Sequence, residues 1–99
     1  MQKQIVISEI LAHIRLCGGG YPDWYVGIAA EPKDRLFNSH GVRQGDAWIH
    51  RECDSSAAAR EVEAYFVKTL GAAGGPGGGD YSTTHVYAYK IAPHTVESA

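Results

Sequence analysis

Glycine divides this chain before any other residue does. Three of its 12 glycines stand together at Gly18-Gly19-Gly20, and six fall between Gly71 and Gly79. Runs of glycine interrupt helices and strands, because no residue loses more backbone freedom on ordering. Three short blocks remain. A chain of 99 residues cut in this way forms one domain over 1–99, since two domains would each bury too little apolar surface to fold.

Each block has a readable pattern. Residues 3–16 suggest a helix, with Ile7, Ile10, Leu11 and Ile14 at helical spacing. A strand over residues 4–8 competes, because Ile5-Val6-Ile7 is β-branched. Residues 24–29 are short, aromatic and β-branched, which predicts a strand. Glu31-Pro32 then opens a helix over 33–40 that Gly41 stops. Residues 47–53 form a second candidate strand, and Asp54 is a candidate N-cap for a helix over 55–70. Val62, Phe66 and Leu70 give that helix its core face. A flexible glycine loop over 71–80 leads to a β-prone segment over 83–91, and the tail after Pro93 is expected to fray. The sum is an α+β domain of about three strands, its elements buried against one another in two layers.

Composition narrows the function classes. Hydrophobic residues make up 44% and charged residues 20%, with a net charge of −2. A disordered acidic tail and a strongly basic nucleic-acid coat are both excluded. No apolar run approaches the roughly 18–20 residues that span a bilayer, so no membrane is expected as a partner. Cys17 and Cys53 form no CxxC and no zinc spacing, and read as reduced thiols. With no signal-peptide pattern after Met1, the expected location is cytoplasmic. The five histidines include no HxH or HExxH pair, and the glycine loop lacks the GK[ST] ending of a phosphate cradle.

The informative stretch is Tyr25-Val26-Gly27 followed, eight residues after the glycine, by Arg35. It resembles the second signature of the GIY-YIG nucleases, in which a strand ending in Tyr-(Ile/Val)-Gly leads through a polar turn into an Arg-bearing helix. The run from Arg60 to Lys68 is similar to that family's Glu-bearing helix, with Glu63 in the metal-ligand place. The first signature, Gly-Ile-Tyr, is missing ahead of Tyr25. Only Gly19-Gly20-Tyr21 stands there, with three residues between it and Tyr25, too few for a strand, a turn and a second strand. The segment His85-Val86-Tyr87-Ala88-Tyr89 looks like the absent strand, with Tyr87 in the signature place. The resemblance therefore implies a circularly permuted relative, and the permutation requires residues 86–91 to pair beside residues 25–28. Two departures bear on activity. Ser39 stands one turn after Arg35 where the family often has a polar or basic group, with His40 one further on. Asp80-Tyr81-Ser82 stands where the family tends to have an Asn.

What the resemblance implies is a GIY-YIG-like fold, a small mainly antiparallel sheet flanked by helices, performing Mg²⁺-dependent phosphodiester hydrolysis of DNA. Tyr25, Arg35, Glu63 and Tyr87 are then the catalytic residues, Glu63 is the metal ligand, and Gly27 and His40 meet the substrate. The chemistry suits the residue types. A guanidinium donates two hydrogen bonds in a fork to phosphoryl oxygens that gain charge. Magnesium takes few protein ligands, so one carboxylate suffices. A tyrosine whose pKa is lowered orients or deprotonates the attacking water. The alternative expectation is a module that keeps the fold without the reaction and binds nucleic acid or protein. Since nothing else in the chain supplies a DNA-binding domain, a homodimer or partner protein would make up the missing affinity.

Overall fold

The computed structural model describes residues 1–74 and 81–98. Helix α1 (Lys3–Cys17) buries Val6, Ile10 and Ile14, with Ile7 and Leu11 on the margins. The buried stripe is thus rotated slightly toward Val6 from the predicted face, and the competing strand does not form. Gly18 stops the helix in the left-handed region at φ 87°, its N–H bonded to the Ile14 carbonyl at 2.8 Å. Strand β1 (Trp24–Ala29) is buried on both faces, which explains its unbroken apolar sequence. Helix α2 (Pro32–Asp34) runs directly into a π turn (Arg35–Ser39). Strand β2 (Trp48–Glu52) follows, then helix α3 (Ser56–Ala64), which also ends in a π turn (Tyr65–Thr69). Strand β3 (His85–Lys90) completes the sheet.

The fold is α+β, with a three-stranded antiparallel sheet in the order β1-β3-β2. β3 lies in the centre although both its neighbours precede it in the chain. On β1 it pairs Tyr25 with Tyr89, Val26 with Ala88 and Gly27 with Tyr87. On β2 it pairs Trp48 with Tyr89 and His50 with Tyr87. The pairing that a permuted chain requires is therefore present.

Alternation along the strands sorts the core into two clusters. Trp24, Val26, Ile28, Ile49, Val86 and Ala88 face α1 and α3. Tyr25, Ala29, Tyr87 and Tyr89 face the other way, against Leu36 and Phe37 of the α2 π turn. Helices thus cover both faces of the sheet, and the expected two layers are three. The reason is the register of β3, which puts a tyrosine at every second position and so gives the far face its own apolar demand.

Three local expectations change. The N-cap of α3 is Ser55, not Asp54: the Ser55 hydroxyl accepts from the Ala58 N–H at 3.1 Å, while the Asp54 carboxylate meets the N-terminal amine at 3.1 Å. The glycine loop begins as paired backbone, with Ala73 N–H bonded to the Trp24 carbonyl (2.8 Å) and Val26 N–H to that of Ala73 (2.9 Å). The rest of that loop, 75–80, lies outside the described residues. The tail does not fray. Ala92 N–H bonds to the Thr95 hydroxyl at 3.1 Å, and Val96 N–H bonds to the His40 carbonyl at 2.7 Å, which folds the segment back over the α2 turn. Among the described residues no helix is long and apolar enough to cross a membrane.

Candidate active site on the tyrosine face

The second cluster is where the chemistry-bearing side chains meet. Tyr25 from β1 stacks on Tyr89 at 5.3 Å and on Tyr87 at 6.3 Å between ring centroids. His40, at the end of the α2 turn, packs 4.6 Å from the Tyr25 ring. Gly27 makes room for this cluster. A Cβ built on it would lie 2.5 Å from the Tyr87 hydroxyl oxygen and 2.6 Å from Cζ. The space that the missing side chain leaves is filled by the Tyr87 phenol.

The π turn decides which residue after Arg35 reaches the site. In an α-helix the residue five positions on points well away from the first. Here the turn closes with the His40 N–H on the Arg35 carbonyl at 2.9 Å, so residues five apart come to lie one above the other. His40 thereby shares a face with Arg35. Ser39 receives only a long hydrogen bond from the Arg35 guanidinium, at 3.4 Å. The offset of one residue that the sequence displays is absorbed by the helix geometry.

His40 is fully buried, and its partners fix its protonation. Nδ1 lies 2.7 Å from the Val96 carbonyl, which can only accept, so Nδ1 carries the hydrogen. Nε2 then holds a lone pair and accepts from the Tyr87 hydroxyl at 2.9 Å. The Arg35 guanidinium in turn donates to the Tyr87 oxygen. Tyr89 donates to the Glu97 carboxylate at 3.0 Å, and its oxygen stands 3.2 Å from His40 Nδ1. The result is a continuous polar chain, Arg35–Tyr87–His40–Tyr89–Glu97, in an otherwise apolar layer.

Electrostatics set the resting state of this chain. Burial pushes the Tyr87 phenol up to about 12, and the Arg35 hydrogen bond only partly offsets it. The expectation of a lowered tyrosine pKa is therefore overturned for Tyr87: burial outweighs one guanidinium. Tyr89 is also raised, first by burial and then by the hydrogen bond to Glu97. Burial holds His40 below its ordinary value; the Val96 carbonyl opposes this, Arg35 adds to it and Glu97 opposes it. At neutral pH the site holds two neutral phenols and a neutral imidazole, with an acceptor already aimed at the Tyr87 proton.

Glu63 stands apart from that chain but is electrically coupled to it. It sits on α3 beside Val62, whose side chain belongs to the opposite cluster. β1 is an edge strand, and the Glu63 charge still reaches the Tyr87 hydroxyl, where it raises the phenol slightly further. The carboxyl is half-buried, and burial raises its pKa while the Arg60 cation pulls it down. A carboxylate desolvated in this way gains from a cation. Among the described residues no group of three or more His, Cys, Asp or Glu side chains is placed to hold a metal. A magnesium ion placed here would take one protein carboxylate and fill the rest of its shell with water.

Of the residues singled out in the sequence, Tyr25, Arg35, His40 and Tyr87 come together and Gly27 lies beneath Tyr87, whereas Glu63 stands apart and reaches Tyr87 only through its charge. The other histidines have separate engagements. His94 pairs with Asp46 at 2.5 Å, His13 packs edge-on against Trp24, and His50 stacks on Trp48. Tyr89 was missed, although it lies two residues from Tyr87 on a strand and must share its face. Val96 and Glu97 carried no sequence signal, since only the folded path of the tail brings them to His40. No family model matches this chain, and no curated protein or solved structure does either.

Proposed function

We propose that this protein hydrolyses phosphodiester bonds of DNA with a GIY-YIG-type site, in a circularly permuted arrangement. The observation that carries the reading is the meeting of Arg35, Tyr87, His40 and Tyr25 on one face, with the Arg35 guanidinium on the Tyr87 hydroxyl and the Glu63 charge within its reach. β1, the α2 turn and β3 supply the first four groups and α3 supplies Glu63, and each group has a use in the reaction. Arg35 would hold the phosphoryl oxygens as they gain charge. Tyr87 would take a proton from the attacking water while passing its own to His40 Nε2, which the aligned hydrogen bond permits without a free phenolate. Tyr25 would pack the reacting groups. Glu63 would hold Mg²⁺, which supplies charge neutralisation at the leaving oxygen when bound.

Incubation of supercoiled plasmid with the protein and Mg²⁺ tests this. Nicking that disappears in Arg35→Ala, Glu63→Ala and Tyr87→Phe is the expected result. Folded wild-type protein that leaves plasmid intact over a range of divalent ions sinks the enzymatic reading.

A second reading has its own observation. Tyr87 and His40 are essentially sealed from solvent, at 1% and 0% exposure. A satisfied, buried network of this kind also serves a catalytically inactive module that binds nucleic acid or a protein partner. Such a module would bind DNA or a partner chain with no dependence on Mg²⁺ and no cleavage.

A further inference from the structure

The tail from Ala92 onward is held to the site by more than packing. Val96 forms two hydrogen bonds with one residue: its N–H to the His40 carbonyl and its carbonyl to His40 Nδ1, both at 2.7 Å. The next residue, Glu97, receives the Tyr89 hydroxyl, whose oxygen also lies 3.2 Å from the same Nδ1. A surface tail with no role at the site would not need a backbone carbonyl on a buried imidazole and a carboxylate on the tyrosine beside it. The groups facing His40 are Tyr25 from β1, Arg35 from its own helix, Tyr87 and Tyr89 from β3, and Glu97 from the tail. Arg35 opposes a positive imidazole, and Glu97 alone among them favours it.

We propose that Val96 and Glu97 form a positioning strap: the Val96 carbonyl holds His40 as an acceptor toward Tyr87, and Glu97, through Tyr89, balances the charge when His40 becomes protonated. In the proton step the Tyr87 O–H bond breaks and a His40 Nε2–H bond forms. The Tyr87 oxygen is refilled by the proton of the attacking water, so one imidazolium and one hydroxide equivalent result. The imidazolium keeps its Nδ1–H on Val96, and the Glu97 carboxylate offsets its charge without moving. The use of this proton in hydrolysis rests on the function proposed above; the tautomer and its charge balance do not.

Nitrogen-15 NMR of the imidazoles in the full chain, followed as pH is lowered, separates the two. The expected wild-type result is a neutral His40 with hydrogen on Nδ1. Glu97→Gln keeps an acceptor for Tyr89 but removes the charge, so the His40 titration midpoint falls to lower pH. Val96→Pro deletes the N–H bond to His40, and the Nδ1–H form gives way to a mixture. A wild-type His40 with hydrogen on Nε2 overturns the strap, as does a titration that Glu97→Gln leaves unmoved. If the NMR results are as expected and the wild type nicks no plasmid, the strap stands and the nuclease function fails. If the wild type nicks, Glu97→Gln should lower kcat with KM unchanged and carry the acidic limb of the rate profile to lower pH. An identical profile in that variant rejects the catalytic use of the strap.

Discussion

Replacing Gly27 with alanine tests the site from beneath. In an exposed strand the change is mild, and where the backbone tolerates a side chain it raises stability by about 0.4–1 kcal/mol through the unfolded state. Gly27 is not in the left-handed region, so its backbone accepts alanine. The obstacle is space: the new methyl would stand 2.5 Å from the Tyr87 oxygen, 2.6 Å from Cζ and 3.0 Å from Cε1. Tyr87 is 1% exposed and tied by Arg35 and His40, so it cannot swing aside. Forcing it over costs about 1–3 kcal/mol in overpacking, and about 1–3 kcal/mol more if its buried hydrogen bonds break. Urea unfolding of the full chain should show a loss of roughly 2–6 kcal/mol where both occur. In a Tyr87→Leu background, which lacks all three crowded atoms, the same alanine should cost little, and the double-mutant cycle should return most of the penalty as coupling. A Gly27→Ala protein as stable as wild type, or one equally weakened in both backgrounds, refutes the packing described for this face.

Acid stability gives a second check. His13, His40 and His50 are all held below their ordinary value, chiefly by burial. Their lowered folded values mean that the unfolded chain binds more protons just below pH 6.5, so stability present above that pH drains away as pH falls. The unfolding midpoint should drop steadily from pH 7 to pH 5, and His40→Gln should flatten the slope. Glu63 works in the opposite sense. Its raised carboxyl favours the protonated form, so it costs stability as pH rises past its value, and Glu63→Gln should unfold at a higher urea concentration at pH 7. Ser55→Ala should lose about 1 kcal/mol by removing the cap on α3, whereas Asp54→Ala should change stability by less. If the nuclease proposal holds, Arg35→Ala should slow nicking by about a hundredfold or more, and ultraviolet titration should show the Tyr87 phenol rising further once its donor is gone.

The parts legible in the sequence were those written in periodicity. Val62 and Phe66 mark the buried face of α3 and its π turn, and β1, β2 and β3 appear close to their predicted bounds. Of the residues that the resemblance chose, Tyr25, Arg35, His40 and Tyr87 share one face, and Glu63 on α3 stands apart from them. What could not be read was geometry that depends on hydrogen bonding over distance. Ser39 and His40 are equally plausible partners of Arg35 until the helix widens to a π turn, and nothing in Arg-Leu-Phe-Asn-Ser states that it will. The phenol of Tyr87 could not be assigned its high pKa without its burial. Nothing in the sequence marks Glu97, because the path that carries Val96 to His40 follows from the docking of the tail and not from its composition.

The central place of β3 has a consequence for synthesis. β1 and β2 never touch as ladder partners; the sheet joins them only through β3. Until residues 85–90 are made, β1 and β2 each keep open the edge that β3 will take, and no hairpin can shelter it. Such a delay slows folding and exposes β-prone segments to wrong pairing. Messages cut short before His85 should therefore yield polypeptides that aggregate or are degraded, with no half-formed intermediate to rescue.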